Sequence, residues 1–426
     1  MFSLDWSRRP WSSVLENKEM AEKNRRRLFR KLLLVAVVVI LVAVGHNRAI
    51  SGWRRVDDFV GYWSAARLQL NGLNPYSESD LLAIQRSGGW KEASPLISFN
   101  PPWTLAFVLP FGLFSYPVSR LIWLFLTVAA IVWSTDWAWR FYGGPPEFRK
   151  IAWLLGGFFL PGLMSLSMGQ ITPFVLLGVV GFLSFVGRRQ WMGAGAALVL
   201  LAVKPHLFYL FWLALFFWMV ARRSWSMLLG AAASLLMATS IACWFNPPVL
   251  AQYTAMIGHE APPLLWLTPT LGTFLRGWFG GERSWLQFLP MLLGTVWFLL
   301  HWQRNRVEWD WTREMAILLL VSMATTSYTW MFDQVVLLPF ILQALVWAFA
   351  DRQRGLRVLA LLGYTAANGV GAVMVILKVN HQFYVWMAWV WLIGYLYLRE
   401  RTSPASDDPA AATSVGDLKS CGSLVH

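Results

Sequence analysis

Residues 226–245 read SMLLGAAASLLMATSIACWF, twenty positions without a charge, directly behind Arg222 and Arg223. An α-helix needs about 20 apolar residues to cross the hydrocarbon core of a bilayer, and paired basic residues at one end mark the cytoplasmic side. The same grammar recurs along the chain. Apolar runs lie at 32–44 and near 101–115, 118–139, 151–167, 171–187, 191–203, 206–220, 286–302, 314–327, 333–350, 357–378 and 382–398. Of the 426 residues 57% are hydrophobic and 14% charged, where soluble domains carry about 25% charged residues. Twenty-eight Trp and 28 Phe add the rings enriched where bilayer meets water. The sequence therefore predicts an all-α polytopic membrane protein with about twelve transmembrane helices, too apolar to hold a large soluble catalytic domain.

The net charge of +14 would suggest nucleic acid in a soluble protein. Here the charge sits at the ends of apolar runs, so no nucleic-acid partner is expected. Residues 1–31 hold nine basic residues against four acidic ones and lead straight into the run 32–44. This predicts a cytoplasmic N-terminus and a retained signal anchor, because no small-residue cleavage site follows. Placing Arg188-Arg189, Arg222-Arg223, Arg304 with Arg306, Arg352 with Arg354 and Arg357, and Arg399 with Arg401 inside lets every run from 151 onward alternate. The tail 402–426, small and polar, is then cytoplasmic and reads as disordered. Arg140, Arg149 and Lys150 also fall inside, which leaves one net crossing for 101–139 although two runs are visible there.

The multi-span domain thus covers 32–401. On its outer face lie a loop at 46–100, with two short helical stretches expected near 58–71 and 79–89, and a second loop at 246–285. The turns at Gly169-Gln170, Lys204-Pro205 and Tyr328–Trp330 face the same way.

Candidate functional residues cluster on that face. Asp57-Asp58 opens the amphipathic stretch Phe59 to Leu70 beside Tyr62 and Trp63. A carboxylate partly desolvated by such rings is suited to general-base work, and an Asp before a helix serves equally as its N-cap. Lys204, at the end of an apolar run and followed by the helix-breaking Pro205, fits a lipid-phosphate contact shared with His206, or a snorkelling lysine that sets helix depth. Arg54 and Arg55 carry the same two readings. Asp333, close to Trp330, is either a partner for a sugar hydroxyl or a helix cap, and Gln170 either bonds a sugar or caps its turn.

Motifs for other chemistry are missing. There is no GxxxxGK[ST] loop, HExxH or GxSxG, and no His cluster with metal spacing. The acidic triplets Glu78-Ser79-Asp80 and Glu308-Trp309-Asp310 lack a fold context for holding a metal. Cys243 and Cys421 suggest no disulfide. Neither metal nor cofactor is expected.

The stretch Asp58-Phe59-Val60-Gly61-Tyr62-Trp63-Ser64-Ala65-Ala66, continuing to Gly72-Leu73-Asn74-Pro75-Tyr76, resembles the opening DFxxYxxAA and GxNPY signature of the glycosyltransferase 87 family. Asn100-Pro101-Pro102, Gly169-Gln170 and Lys204-Pro205 resemble its later landmarks in the same order, so the resemblance covers roughly residues 50–350. It implies a GT-C-like bundle that transfers a sugar, mannose or another hexose or pentose, from a polyprenyl-phosphate-sugar donor. The acceptor would be a cell-envelope lipid or glycan at the outer face of the cytoplasmic membrane. By resemblance Asp58 is the general base, Asp57 a lesser candidate beside it, and Lys204 the holder of the donor phosphate, with inversion and no metal.

The sequence departs from the pattern twice. Ser327 to Gln334 has no histidine where the family often shows Trp-Asp-His, and Thr268-Pro269-Thr270 stands where Asn-Gln-Ser is common. The competing class is a lipid-sugar flippase or transporter, or a non-catalytic subunit of a glycan-assembly complex. Ion-coupled transport is disfavoured because the apolar runs hold few charges, among them Asp136 and Lys378.

Overall fold

The charge-free run folds as one continuous helix, Trp225–Phe245, 21 residues long. The computed structural model describes residues 57–259, 264, 266–350 and 354–402, and among the described residues every regular element is helical. The basic segment 1–31, the run 32–44, Arg54, Arg55 and the tail from residue 403 lie outside the described residues.

In chain order the helices are α1 (Phe59–Leu70), α2 (Glu78–Ser87), α3 (Tyr116–Phe141), α4 (Arg149–Gly157), α5 (Leu160–Ser167), α6 (Thr172–Gly187), α7 (Trp191–Leu201) and α8 (Tyr209–Arg222). Then follow α9 (Trp225–Phe245), α10 (Val249–His259), α11 (Leu271–Phe279), α12 (Leu289–Asn305), α13 (Trp311–Thr325), α14 (Leu338–Ala350), α15 (Arg354–Ile376) and α16 (Val385–Thr402).

Five of these units are long and apolar enough to span a membrane: α3, Pro205–Arg222, α9, Met331–Ala350 and α15. A sixth forms if the pair Pro146–Gly157 and Leu160–Ser167, bent by 48°, is one broken span. Among the described residues this is fewer than the expected dozen, of which the run 32–44 lies outside them. The other runs among the described residues are helical too, but hydropathy counts turn residues that the helix leaves out. The run 191–203 is helical only to Leu201, 11 residues, which at 1.5 Å per residue covers about half of the roughly 30 Å core. Residues 102–113 form three short pieces, the first packed on α9 and the other two on α1. Only the 26-residue α3 in the stretch 101–139 is long enough to cross, in keeping with the single crossing that the basic residues require.

Small residues set the closest helix contact. A Cβ on Gly195 of α7 would collide with the Met227 carbonyl of α9, and one on Gly230 with the Met192 carbonyl. Backbones meet there as they do at small-residue seams in membranes generally. Most of the rest of α9 faces outward, whereas Met331–Ala350 is enclosed almost entirely by its neighbours, including α3, α5, α15 and α16. Asp136, near the C-terminal end of α3, is clamped by Arg149 at 2.5 and 2.7 Å and by Arg140 at 2.9 Å. That carboxylate ties α3 to α4.

Candidate active site

Where Pro205–Arg222 and Met331–Ala350 begin, segments distant in sequence enclose an open cavity of about 860 Å³. Asp58 stands at the N-cap position of α1, but its side chain caps nothing. Its Oδ2 instead accepts a 2.6 Å hydrogen bond from Gln170 Nε2. Burial pushes the Asp58 carboxyl up from 3.8 to about 6, with the neighbouring Asp57 charge adding, while the Gln170 bond and the Lys204 charge pull it back.

Gln170 joins the site together. Its Oε1 accepts from the Tyr62 hydroxyl at 3.2 Å and from Lys204 Nζ at 3.1 Å, so the amide nitrogen is left to face the carboxylate. The turn that presents it needs glycine: Gly169 has φ +68°, and a Cβ there would lie 2.7 Å from Phe59 Cβ and 3.0 Å from Asp57 Oδ1.

Lys204 follows α7 because Pro205 cannot continue the helix. The Asn100 amide and the Trp103 indole, each at 2.9 Å, bond the carbonyls of Val203 and Ala202 and hold this turn. The Lys204 ammonium is buried, pairs with Asp333 at 2.7 Å and lies 5.2 Å from the centre of the Phe332 ring.

Asp333 is committed inside the fold. Its Oδ1 accepts from Thr172 and Lys204, and its Oδ2 takes the Trp330 backbone N–H at 2.9 Å, at the start of the helical turn Met331–Leu337. Trp330 donates its indole N–H to the Tyr328 hydroxyl, stacks on Phe332 and meets His381 edge-on. His206 packs edge-on against Tyr328 at 5.3 Å and lines the same cavity.

The structure thus brings together Asp58, Tyr62, Gln170, Lys204, His206, Trp330 and Asp333. Of these only Asp333 is not exposed to the cavity. Asp57 is also set apart, because it binds the Tyr116 hydroxyl at 2.9 Å and Arg120 at 2.6 Å and does not line the cavity.

Sequence reasoning missed the outer-loop rings Trp90, Tyr253 and Trp266, and also Glu92 and His381, all on the cavity wall. It missed Arg120 too, although an arginine four residues inside a long apolar helix is signal enough. Of the acidic triplets, Glu78 lines the cavity and Asp310 caps α13 through the Thr312 N–H at 2.9 Å. No group of three candidate metal ligands occurs among the described residues.

A many-helix apolar bundle with a polar, ring-lined cavity at one end defines a multi-pass membrane protein with a candidate site at its helix ends. The family model "Glycosyltransferase family 87" matches residues 99–326, more than half of the chain. The chain belongs to that family and is a membrane glycosyltransferase. No curated protein and no solved structure matches it. The matched segment carries Asn100-Pro101-Pro102, Gly169-Gln170 and Lys204-Pro205, while Asp58 and Asp333 lie outside it.

Proposed function

We propose that the protein transfers a sugar from a polyprenyl-phosphate-sugar to a hydroxyl of a cell-envelope lipid or glycan, at the outer face of the cytoplasmic membrane. The observation that carries this reading is the convergence of Asp58 and Lys204 on one side chain, Gln170, at the wall of an open cavity. A base and a cation held a fixed distance apart by one amide are what displacement at a sugar carbon needs.

In this scheme the donor's lipid tail stays in the bilayer and its phosphate docks at Lys204. The ammonium has three N–H groups, and Gln170 and Asp333 take two of them. The third serves a phosphate oxygen. The acceptor oxygen attacks the anomeric carbon from the face opposite the phosphate. The C–O bond to phosphate breaks with its electron pair going to the phosphate, and Asp58 takes the hydroxyl proton. Configuration inverts. The leaving group is already a phosphate, so charge stabilisation at Lys204 supports its departure without a metal. A carboxyl near 6 is mostly ionised at neutral pH yet basic enough to accept the proton. Tyr62, Trp330 and the cavity rings supply faces for the sugar.

The experiment is transfer of label from radiolabelled polyprenyl-phosphate-mannose, and from the corresponding pentose donor, into an extract of envelope lipids and glycans by the purified protein in lipid vesicles. Label appearing in an acceptor with inverted anomeric configuration is the expected result. Transfer from nucleotide sugars alone would overturn the donor assignment, and translocation of an intact donor without transfer would favour a flippase.

A further inference from the structure

α15 is long and apolar enough to span a membrane, and most of it faces outward. Its C-terminal end lies near the cavity. Lys378 takes a left-handed conformation, φ +53°, and the Lys378 and Val379 N–H groups return to the Val375 and Met374 carbonyls, a helix stop that turns the chain. The turn His381–Tyr384 follows, and His381 lines the cavity while remaining exposed. On either side of it in the chain stand large apolar side chains open to the outside: Ile376 is 76% exposed, Leu377 69% and Phe383 46%. Lys378 and Asn380 are exposed in the same turn, as suits a helix end that meets the headgroup layer with hydrocarbon beneath it.

A line of rings joins Lys204 to this turn. The Lys204 ammonium lies 5.2 Å from the centre of the Phe332 ring, Phe332 stacks on Trp330 at 6.1 Å, and Trp330 meets His381 at 5.2 Å. All three rings line the cavity. The other contacts of the ammonium lead elsewhere, because Gln170 is bonded to Asp58 and Asp333 is wholly buried. Displacement with inversion puts the acceptor oxygen and Asp58 on one side of the anomeric carbon and the phosphate on the other. The lipid hangs from that phosphate, so its tail starts at the Lys204 end and leads away from Asp58.

We propose that the donor's polyprenyl tail leaves the cavity past Phe332 and His381 and enters the bilayer at the end of α15, with Ile376, Leu377 and Phe383 forming the apolar sill of that doorway. The proposal rests on the donor being a polyprenyl-phosphate-sugar and adds the place where its lipid is held. Ring faces suit the flat, apolar isoprene unit, and burial of its carbons supplies the affinity. Trp330 then stands at the boundary between the sugar and the lipid.

A second line of rings, His206 to Tyr328 to Trp266, leads to the exposed Leu267. It ends differently. Beyond Leu267 the chain turns through the buried Thr268, Thr270 and Thr273, which bond to one another and to Gln287. The helix that follows, α11, has nine residues and is too short to span. The first line ends on a helix of spanning length, where a tail passes straight into hydrocarbon.

The test uses wild-type protein in lipid vesicles and a long-chain polyprenyl-phosphate-mannose that carries a diazirine in its second isoprene unit. After irradiation the labelled residues are mapped by mass spectrometry, with and without excess unlabelled donor. Label that the excess donor removes should fall on Phe332 and on the turn from Ile376 to Tyr384, and not on Leu236, an exposed residue of α9 outside the cavity wall.

Two variants give a second readout. Leu377→Asp should raise the KM for the long-chain donor about fivefold to tenfold, through loss of apolar contact. A donor with a single isoprene unit ends before α15, so its KM should hold near the wild-type value. Phe332→Ala should raise the KM for both donors. Competed label on Trp266 and Leu267 in place of the α15 turn would overturn the doorway, as would equal KM shifts for long and short donors in Leu377→Asp. If a variant does not fold, the wild-type map decides alone. Competed label in the wrong place overturns only the doorway, whereas label that excess donor never removes, with transfer from nucleotide sugars alone, overturns the donor reading and the doorway with it.

Discussion

Asp58→Asn should cost the protein its reaction and make it more stable. Burial raises the Asp58 carboxyl from 3.8 to about 6, and at 1.36 kcal/mol per pKa unit the ionised form costs the folded state about 3 kcal/mol. A carboxyl raised in the folded state binds its proton more tightly folded than unfolded. The wild type therefore keeps this stability below about pH 4 and loses it as the pH climbs through 6. Asparagine keeps the shape and an acceptor for Gln170 Nε2 but has no charge to desolvate. The variant should match the wild type at pH 4 and gain up to about 3 kcal/mol at pH 7.5. Over the same range transfer should fall by about 10²–10⁴, the usual contribution of a positioned base. Denaturant unfolding in detergent, followed by the fluorescence of the 28 tryptophans, reads the first quantity, and label transfer reads the second. A stability difference that does not grow between pH 4 and pH 7.5 would refute the burial of a charged Asp58.

Gln170→Leu removes the amide that favours the Asp58 carboxylate. A hydrogen bond to a charged group is worth about 1.5–3 kcal/mol, so the acidic limb of the transfer profile should rise by about one to two pH units. Activity should partly return at high pH. Lys204→Met or Asp333→Leu alone strands a buried charge and should cost about 3–5 kcal/mol of folding stability, while the double variant should recover most of it. By the proposed chemistry the recovered double variant remains inactive, which parallel unfolding and transfer measurements on the three proteins would check. Gly169→Ala forces a side chain into a left-handed conformation worth about 1–3 kcal/mol of strain and into contact with Phe59. It should lower both stability and turnover, measured by unfolding and by label transfer.

How far the sequence could be read depended on whether a feature was local. Composition and apolar runs gave an all-helical membrane bundle, and the run 226–245 became a helix within a residue of its expected limits. The apolar runs outnumber the five or six units long enough to span among the described residues, because some helices end inside apolar stretches. Leu201 is followed by the apolar Ala202 and Val203 and its helix gives way before Pro205, while the helix at Thr325 stops at the extended backbone of Thr326. The dipeptide Gly169-Gln170 was visible as a turn, but its role as the link between Asp58 and Lys204 depends on three segments separated by more than 30 residues each way. Asp333 allowed two readings until its capping bond to Trp330 and its pairing with Lys204 were both found, one local and the other 129 residues distant. Arg120 lay in plain sight in an apolar run, but its partner Asp57 is 63 residues away.

The contact between Arg120 and the Leu166 carbonyl, at 2.7 Å, has an evolutionary side. The acceptor is an oxygen that every amino acid carries, so the bond asks nothing of the side chain at 166, which only its burial restricts. At position 169 the reverse holds, because every alternative adds an atom where Asp57 and Phe59 already sit. In a saturation scan of this turn, position 169 should be almost empty of survivors, while position 166 should keep apolar residues of several shapes. Comparison of related sequences would then mark the glycine and pass over the carbonyl that anchors the same turn to the arginine.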